Sequence, residues 1–175
     1  VRTHARTPTR VRIPTFTIFK LFSSNKKGLH VLSLNIQSLI PKLDEIRHNL
    51  TSSNSVDIIG FNETFLTENI NDNTFSINNF SFERKDRKNK KGGGVLIYIS
   101  DKIPFKRRTD LEHVDIDSIC IEIKFPNSRP FLFSFVYRPP DAKQLWIDNF
   151  ETVIEKIDLL NYESHILGDF NINYS

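Results

Sequence analysis

The sequence predicts a mixed α/β domain, rich in sheet and carrying at least two helices. Three observations lead there. A short apolar run, a stretch with helical spacing and a second short apolar run succeed one another between positions 30 and 63. Strand-like runs bounded by turn residues recur between positions 80 and 138, and a long apolar stripe with helical spacing occupies 145–160.

The elements follow in order. HVLSLN (30–35) reads as a strand, with Val31, Leu32 and Leu34 ahead of a polar end at Asn35. In SLIPKLDEIRHNL, Leu39, Leu43, Ile46 and Leu50 fall four, three and four apart, the spacing of one helix face. VDIIGFNE (56–63) is a second short buried strand with Glu63 just past its end. Strand, helix, strand suggests a βαβ-like unit whose two strands end at the same edge. FSFER (80–84), the charged turn KDRKNKKGG and GVLIYIS (94–100) read as a hairpin. SICIEIKF sets Ile119, Ile121, Ile123 and Phe125 against Cys120, Glu122 and Lys124, a strand with one buried face. PFLFSFVYR (130–138) follows after a turn. Leu145, Phe150, Val153, Ile154, Ile157 and Leu160 then mark a helical stripe. The closing HILGDF reads as a buried strand, with His165 to Leu167 heading into the core before Gly168 breaks the run.

The chain has 175 residues, one domain's worth, and fifteen Phe with many Ile and Leu supply a core. No uncharged apolar run approaches the ~18 residues of a membrane span. The single cysteine, Cys120, excludes an internal disulfide framework and fits a reducing compartment. The net charge of +3 is unevenly divided. Residues 1–28 carry seven Lys and Arg and no acid, which leaves 17 bases against 21 acids in the remainder. A basic leader, expected to be disordered, therefore precedes a mildly acidic body over 29–175. A transit peptide and a nucleic-acid arm are alternatives for that leader. The absence of methionine suggests a fragment of a longer reading frame.

Four strands end in polar residues where the apolar run stops: Asn35, Glu63, Tyr137–Arg138 and Asp169–Asn171. Singly, each has an ordinary explanation as a turn, a cap or an edge residue. Together they converge where ligands of α/β sheets collect, outside the strand ends. The inventory suits phosphate-ester cleavage. Glu63 and Asn35 offer hard oxygen ligands for one Mg²⁺, which takes one or two carboxylates and otherwise water and phosphate. Asp169 can orient or deprotonate an attacking water, with Asn171 fixing its geometry. Tyr137 and Arg138 can donate to phosphate oxygens as charge builds. No Cys/His metal spacing, Walker lysine motif or Gly-x-Ser-x-Gly elbow is present, and KKGGGV precedes a strand rather than a helix, unlike a P-loop.

LNIQSLIPKLDEI, DIIGFNETFL, RKDRKNKKGGGVLIYI, FVYRPP and LGDFN, in this order, resemble the endonuclease domain of non-LTR (LINE-type) retrotransposons. That group belongs to the endonuclease/exonuclease/phosphatase superfamily and is related to apurinic/apyrimidinic endonucleases. The resemblance runs from about Leu29 to the last residues. It implies two mixed β-sheets packed as a sandwich with flanking helices, here truncated at the C-terminus. It implies an enzyme dependent on Mg²⁺ (or Mn²⁺) that nicks DNA and leaves a 3′-hydroxyl to prime reverse transcription. Carried over, Asn35 and Glu63 match metal-site positions, Tyr137 the catalytic tyrosine and Arg138 its phosphate-facing neighbour. Asp169 and Asn171 match the pair around the attacking water. In a full-length element the partners implied are DNA, a C-terminal reverse transcriptase domain and the element RNA, in an intracellular, nuclear setting with no membrane.

The family pattern continues past GDFN to an Asp and a Ser-Asp-His block, and none of His4, His30, His48, His113 and His165 lies in such a block. The chain is therefore expected to be the front part of an endonuclease, or else an inactive truncated relic. A superfamily phosphatase or sphingomyelinase-like phosphodiesterase is a further reading, and an α/β binding module another. The basic turn holding Arg84, Lys85, Arg87, Lys88, Lys90 and Lys91 is expected either to contact a DNA backbone or to be simply solvated.

Overall fold

The computed structural model describes residues 28–52, 56–87 and 92–172. Nearly all of the basic leader, and Lys88, Lys90 and Lys91 of the basic turn, lie outside the described residues. Eight strands form two four-stranded mixed sheets. The first contains β1 (Val31–Asn35), β2 (Ile58–Asn62), β3 (Phe80–Lys85) and β4 (Val95–Ser100), in the order β1-β2-β4-β3. The second contains β5 (Phe105–Arg107), β6 (Asp117–Ile123), β7 (Phe131–Tyr137) and β8 (Glu163–Asp169), in sequential order.

The sheets face one another across a dry layer. Ile58, Val95, Ile97 and Ile99 from the first meet Ile119, Ile121, Ile123, Phe133, Phe135 and Tyr137 from the second. Burying each such side chain contributes roughly 1.5–3 kcal/mol, so this layer is the main adhesive of the domain. The approach is close enough that Gly60 is required. A Cβ there would lie 2.1 Å from Cδ1 of Phe135, whose ring is fully buried.

Each sheet's outer face carries a helix. The stripe Leu39, Leu43, Ile46, Leu50 is buried throughout, as its spacing predicts. Pro41 divides it into a 3₁₀ turn (Ile40–Lys42) and α1 (Leu43–Ser52), consistent with proline being tolerated in a first helical turn. Ile46 and Leu50 pack with Ile59, Phe61, Leu96 and Tyr98. The Tyr98 hydroxyl is satisfied there by donating to the Phe75 carbonyl at 2.8 Å. On the second sheet, α2 (Gln144–Asp158) packs Val153 and Ile157 against Leu111, Cys120 and Leu132. The layers are thus helix, sheet, sheet, helix.

The hairpin β3–β4 and the parallel pair β1–β2 form as the sequence suggests. Three expectations are corrected. β6 is buried on both faces: Cys120 is 2% exposed, because α2 covers the side that alternation alone marks as open. Leu145 stands outside the buried stripe of α2 at 66% exposure. The closing strand is an edge strand, paired only with β7 among the described residues. Its first four residues are exposed, and His165 stacks on Phe133 at 5.0 Å rather than entering the core. β5 escapes sequence reading because three residues carry no period.

No helix among the described residues is long and apolar enough to cross a membrane.

Candidate active site at the strand ends

Two parallel pairs set the site. β1 and β2 run together so that Asn35 pairs with Asn62, one residue short of Glu63. β7 and β8 run together so that Tyr137 pairs with Asp169. β1 also lies against β8 across the two sheets. The ends of all four strands therefore open on one edge, as the strand–helix–strand pattern predicts for β1 and β2.

Hydrogen bonds join the side chains there. Asn35 Nδ2 donates to Glu63 Oε1 at 2.8 Å and to Asp169 Oδ2 at 2.7 Å. Tyr137 O–H donates to the same Glu63 oxygen at 3.0 Å. The Asn35 carbonyl accepts from the Gln37 amide at 3.2 Å, which fixes the amide's orientation. One carboxamide thus bridges two carboxylates contributed by different sheets, separated by 106 residues of sequence. Burial, and next the neighbouring Glu63 charge, push the Tyr137 phenol well above its ordinary value. It stays a proton donor throughout the neutral range.

Local backbone features aim these groups. Glu63 sits at φ 54°, a left-handed residue at the turn out of β2. Gly168 has φ 154°, and a Cβ there would lie 1.8 Å from the Val136 carbonyl oxygen, so only glycine lets β8 close on β7 just before Asp169. Beyond it, Asp169 Oδ1 accepts from the Asn171 amide at 3.0 Å. Asn171, at φ 45°, returns its own side-chain N–H to the Arg138 carbonyl at 2.7 Å. Arg138 Nη1 donates to the carbonyls of Phe170 and Asn171, each at 3.1 Å, and its guanidinium lies 5.9 Å over the Trp146 ring. Arg138 and Asn171 are therefore tied to each other and brace the Asp169 loop.

The basic turn is only partly directed at this edge. Arg87 lies 5.5 Å over the Tyr137 ring and pairs with Asp117 at 2.6 Å. Arg84 pairs with Asp72 and Asp86 and lies over Phe75. Lys85 donates to the His113 carbonyl at 2.7 Å, near Glu112, and burial pushes its pKa down. The charges of these three residues are taken up within the chain.

A cleft of about 570 Å³ opens on Glu63 and Tyr137, with Phe65, Arg87, Gly92, Gly93 and Pro139 to Asp141 along its walls. Sequence reading did not single out Phe65, and it marked Gly168 only as the break in the closing apolar run. Nothing in the letters gives Phe65 its exposure, whereas a glycine inside the apolar run HILGD is a signal of close backbone approach.

Among the described residues no group of three or more His, Cys, Asp or Glu gathers as a metal cage. The donors that do meet, two carboxylates joined through one carboxamide, fit a hard cation that keeps several waters.

A search of curated proteins finds no match for the chain. Solved structures of similar fold include the endonuclease domain of TRAS1, a telomere-specific non-LTR retrotransposon. The two are 14% identical with a TM-score of 0.60 over 85% of this chain and 63% of that one. An AP endonuclease from Archaeoglobus fulgidus is 18% identical, with a TM-score of 0.57 over 83% and 58%. A variant of the 3′ phosphatase NExo from Neisseria, bound to product DNA hairpin, is 16% identical, with a TM-score of 0.55 over 85% and 60%. The chain spans about three fifths of the length of these structures. A family model matches residues 32–175, about four fifths of the chain, and the chain belongs to the Endonuclease/Exonuclease/phosphatase family.

Proposed function

We propose that the strand-end site is the catalytic centre of a divalent-metal-dependent phosphodiesterase that nicks DNA. The single observation that carries this reading is the bridge from Asn35 to both Glu63 and Asp169, which places two carboxylates on one solvent-accessible amide. Glu63 and, with its amide turned so that Oδ1 faces the carboxylates, Asn35 would hold Mg²⁺ or Mn²⁺, which when bound stabilises charge on the phosphate as a Lewis acid. Asp169 accepts the proton of the attacking water, and Asn171 holds the Asp169 loop so that the carboxylate faces it. Tyr137, kept protonated, donates to a phosphate oxygen as negative charge develops. Arg138 acts as the brace of that loop, with its charge beside the phosphate. The bond broken leaves a 3′-hydroxyl. Lys88, Lys90 and Lys91 of the turn supply salt-dependent attraction to the DNA backbone, the charges of Arg84, Lys85 and Arg87 being paired within the chain.

The sequence blocks and the likeness to the TRAS1 domain support a setting in a non-LTR retrotransposon. The 3′-hydroxyl would there prime reverse transcription, and a reverse transcriptase domain and the element RNA would be the partners, in the nucleus.

The test is conversion of supercoiled plasmid to open circles in Mg²⁺, against Glu63→Gln and Asp169→Asn. Nicking by the wild type and at least a hundredfold loss in both variants supports the reading. Wild-type nicking unchanged in the variants overturns it. Phosphate release from 3′-phosphorylated DNA without nicking would move the activity to a phosphomonoesterase, which the description of the Neisseria protein favours. No turnover of either substrate would match an inactive relic.

A further inference from the structure

Two residues beyond Glu63, Phe65 is 42% exposed although it is large and apolar. Its backbone is left-handed, with φ 55°, a conformation that bulky L residues rarely adopt. The core has no use for the ring, since the neighbouring Leu66 is the buried side chain of this loop. The conformation is imposed by the glycine turn opposite: the Phe65 amide donates to the Gly93 carbonyl at 3.1 Å and the Thr64 amide to the Gly94 carbonyl at 3.4 Å. Gly92, Gly93 and Gly94 all have positive φ, and a Cβ on Gly92 would lie 3.4 Å from the Phe65 ring. Gly92 therefore places no side chain of its own against that side of the ring. Strain held in place by its surroundings at the lip of a cleft points to use by a ligand.

The cleft's chemistry says which ligand. Phe65, Pro139 and Pro140 supply flat apolar surface, while Glu63, Tyr137 and Arg87 supply the polar end. An aromatic face a short step from a phosphate-handling site matches the alternation of base and phosphate along a nucleic acid strand. We propose that Phe65 is a stacking platform for an unpaired nucleobase flanking the phosphodiester that is cut, and so a residue that sets preference for DNA with a splayed base. This rests on the reading of Glu63 and Asp169 as the phosphodiesterase site.

Binding in EDTA separates the two. The probes are a duplex with 2-aminopurine in a single-base bulge and the same duplex fully paired, titrated with wild type, Phe65→Asn and Phe65→Trp. Asn tolerates the left-handed conformation, so Phe65→Asn keeps the backbone while removing the ring. The expected result is quenching of 2-aminopurine by the wild type and about tenfold weaker binding of the bulged probe by Phe65→Asn, within the range for one base–aromatic stack. Phe65→Trp retains binding, affinity for the paired duplex stays within about twofold, and the Tm of Phe65→Asn equals or exceeds that of wild type. Unchanged affinity of Phe65→Asn for the bulged probe overturns the proposal while leaving plasmid nicking intact. A large fall in Tm with the loss of binding also overturns it, because the ring would then be a structural part. Failure of the wild type both to bind either probe and to nick plasmid removes the underlying reading, and this proposal with it.

Discussion

Gly168→Ala isolates the device that delivers Asp169. The new Cβ would lie 1.8 Å from the Val136 carbonyl oxygen, whereas ordinary contact begins near 3.4 Å. The obstacle is backbone, so no rotamer change relieves it, and β8 must move away from β7 by about 1.6 Å, the difference of those distances. The Asn35–Asp169 contact of 2.7 Å would stretch to about 4 Å, beyond hydrogen-bond range. Alanine at this φ adds roughly 1–3 kcal/mol of strain. Each weakened ladder bond adds about 1 kcal/mol. The sum, about 2–4 kcal/mol, lowers Tm by roughly 5–15 °C for a chain of this size. Paired only with β7 among the described residues, β8 can instead slide outward, which would soften the loss of stability but not the displacement of the carboxylate. Nicking is therefore the decisive assay, and it should fall about a hundredfold, the usual consequence of a 1 Å misplacement. A variant that nicks plasmid at the wild-type rate would refute the claim that the β7–β8 closure at Gly168 positions Asp169.

Other outcomes follow from the same geometry. Gly60→Ala drives a Cβ to 2.1 Å from the buried Phe135 ring and should cost about 1–3 kcal/mol by thermal denaturation; adding Phe135→Leu should recover part of the loss, and purely additive effects would contradict contact. Tyr137→Phe removes the donor to Glu63 Oε1 and should reduce nicking about a hundredfold with little change in Tm; an unimpaired variant would take Tyr137 out of the catalytic set. Burial pushes the Cys120 thiol from 9.0 up to about 11. Its contribution, on the order of 3 kcal/mol, is therefore whole below pH 9 and is lost as pH rises toward 11, because the unfolded thiol ionises first. Cys120→Ala should flatten the fall of Tm over that window, and parallel Tm profiles for the two proteins would argue against a buried, protonated thiol.

The sequence carried the site better than it carried the surface around it. Asn35, Glu63, Tyr137 and Asp169 are legible because each stands where an apolar run stops, and parallel pairing brings such ends together. The periodicity of α1 is legible because all four apolar positions of its stripe are buried. What stays hidden depends on partners distant in sequence. Cys120 is buried because α2 crosses its face, and Arg84 and Lys85 find Asp72, Glu112 and the His113 carbonyl 12 to 28 residues away. The left-handed backbone of Phe65 is set by the Gly92–Gly94 turn, a contact between segments that no local pattern records.

The most direct test of the central claim is calorimetric titration of the protein with Mg²⁺, alongside Glu63→Gln and Asp169→Asn. One cation site in the wild type, weakened at least tenfold in Glu63→Gln and little changed in Asp169→Asn, is the result expected if Glu63 and Asn35 hold the cation while Asp169 serves the attacking water. Equal Mg²⁺ affinity in all three proteins would contradict it.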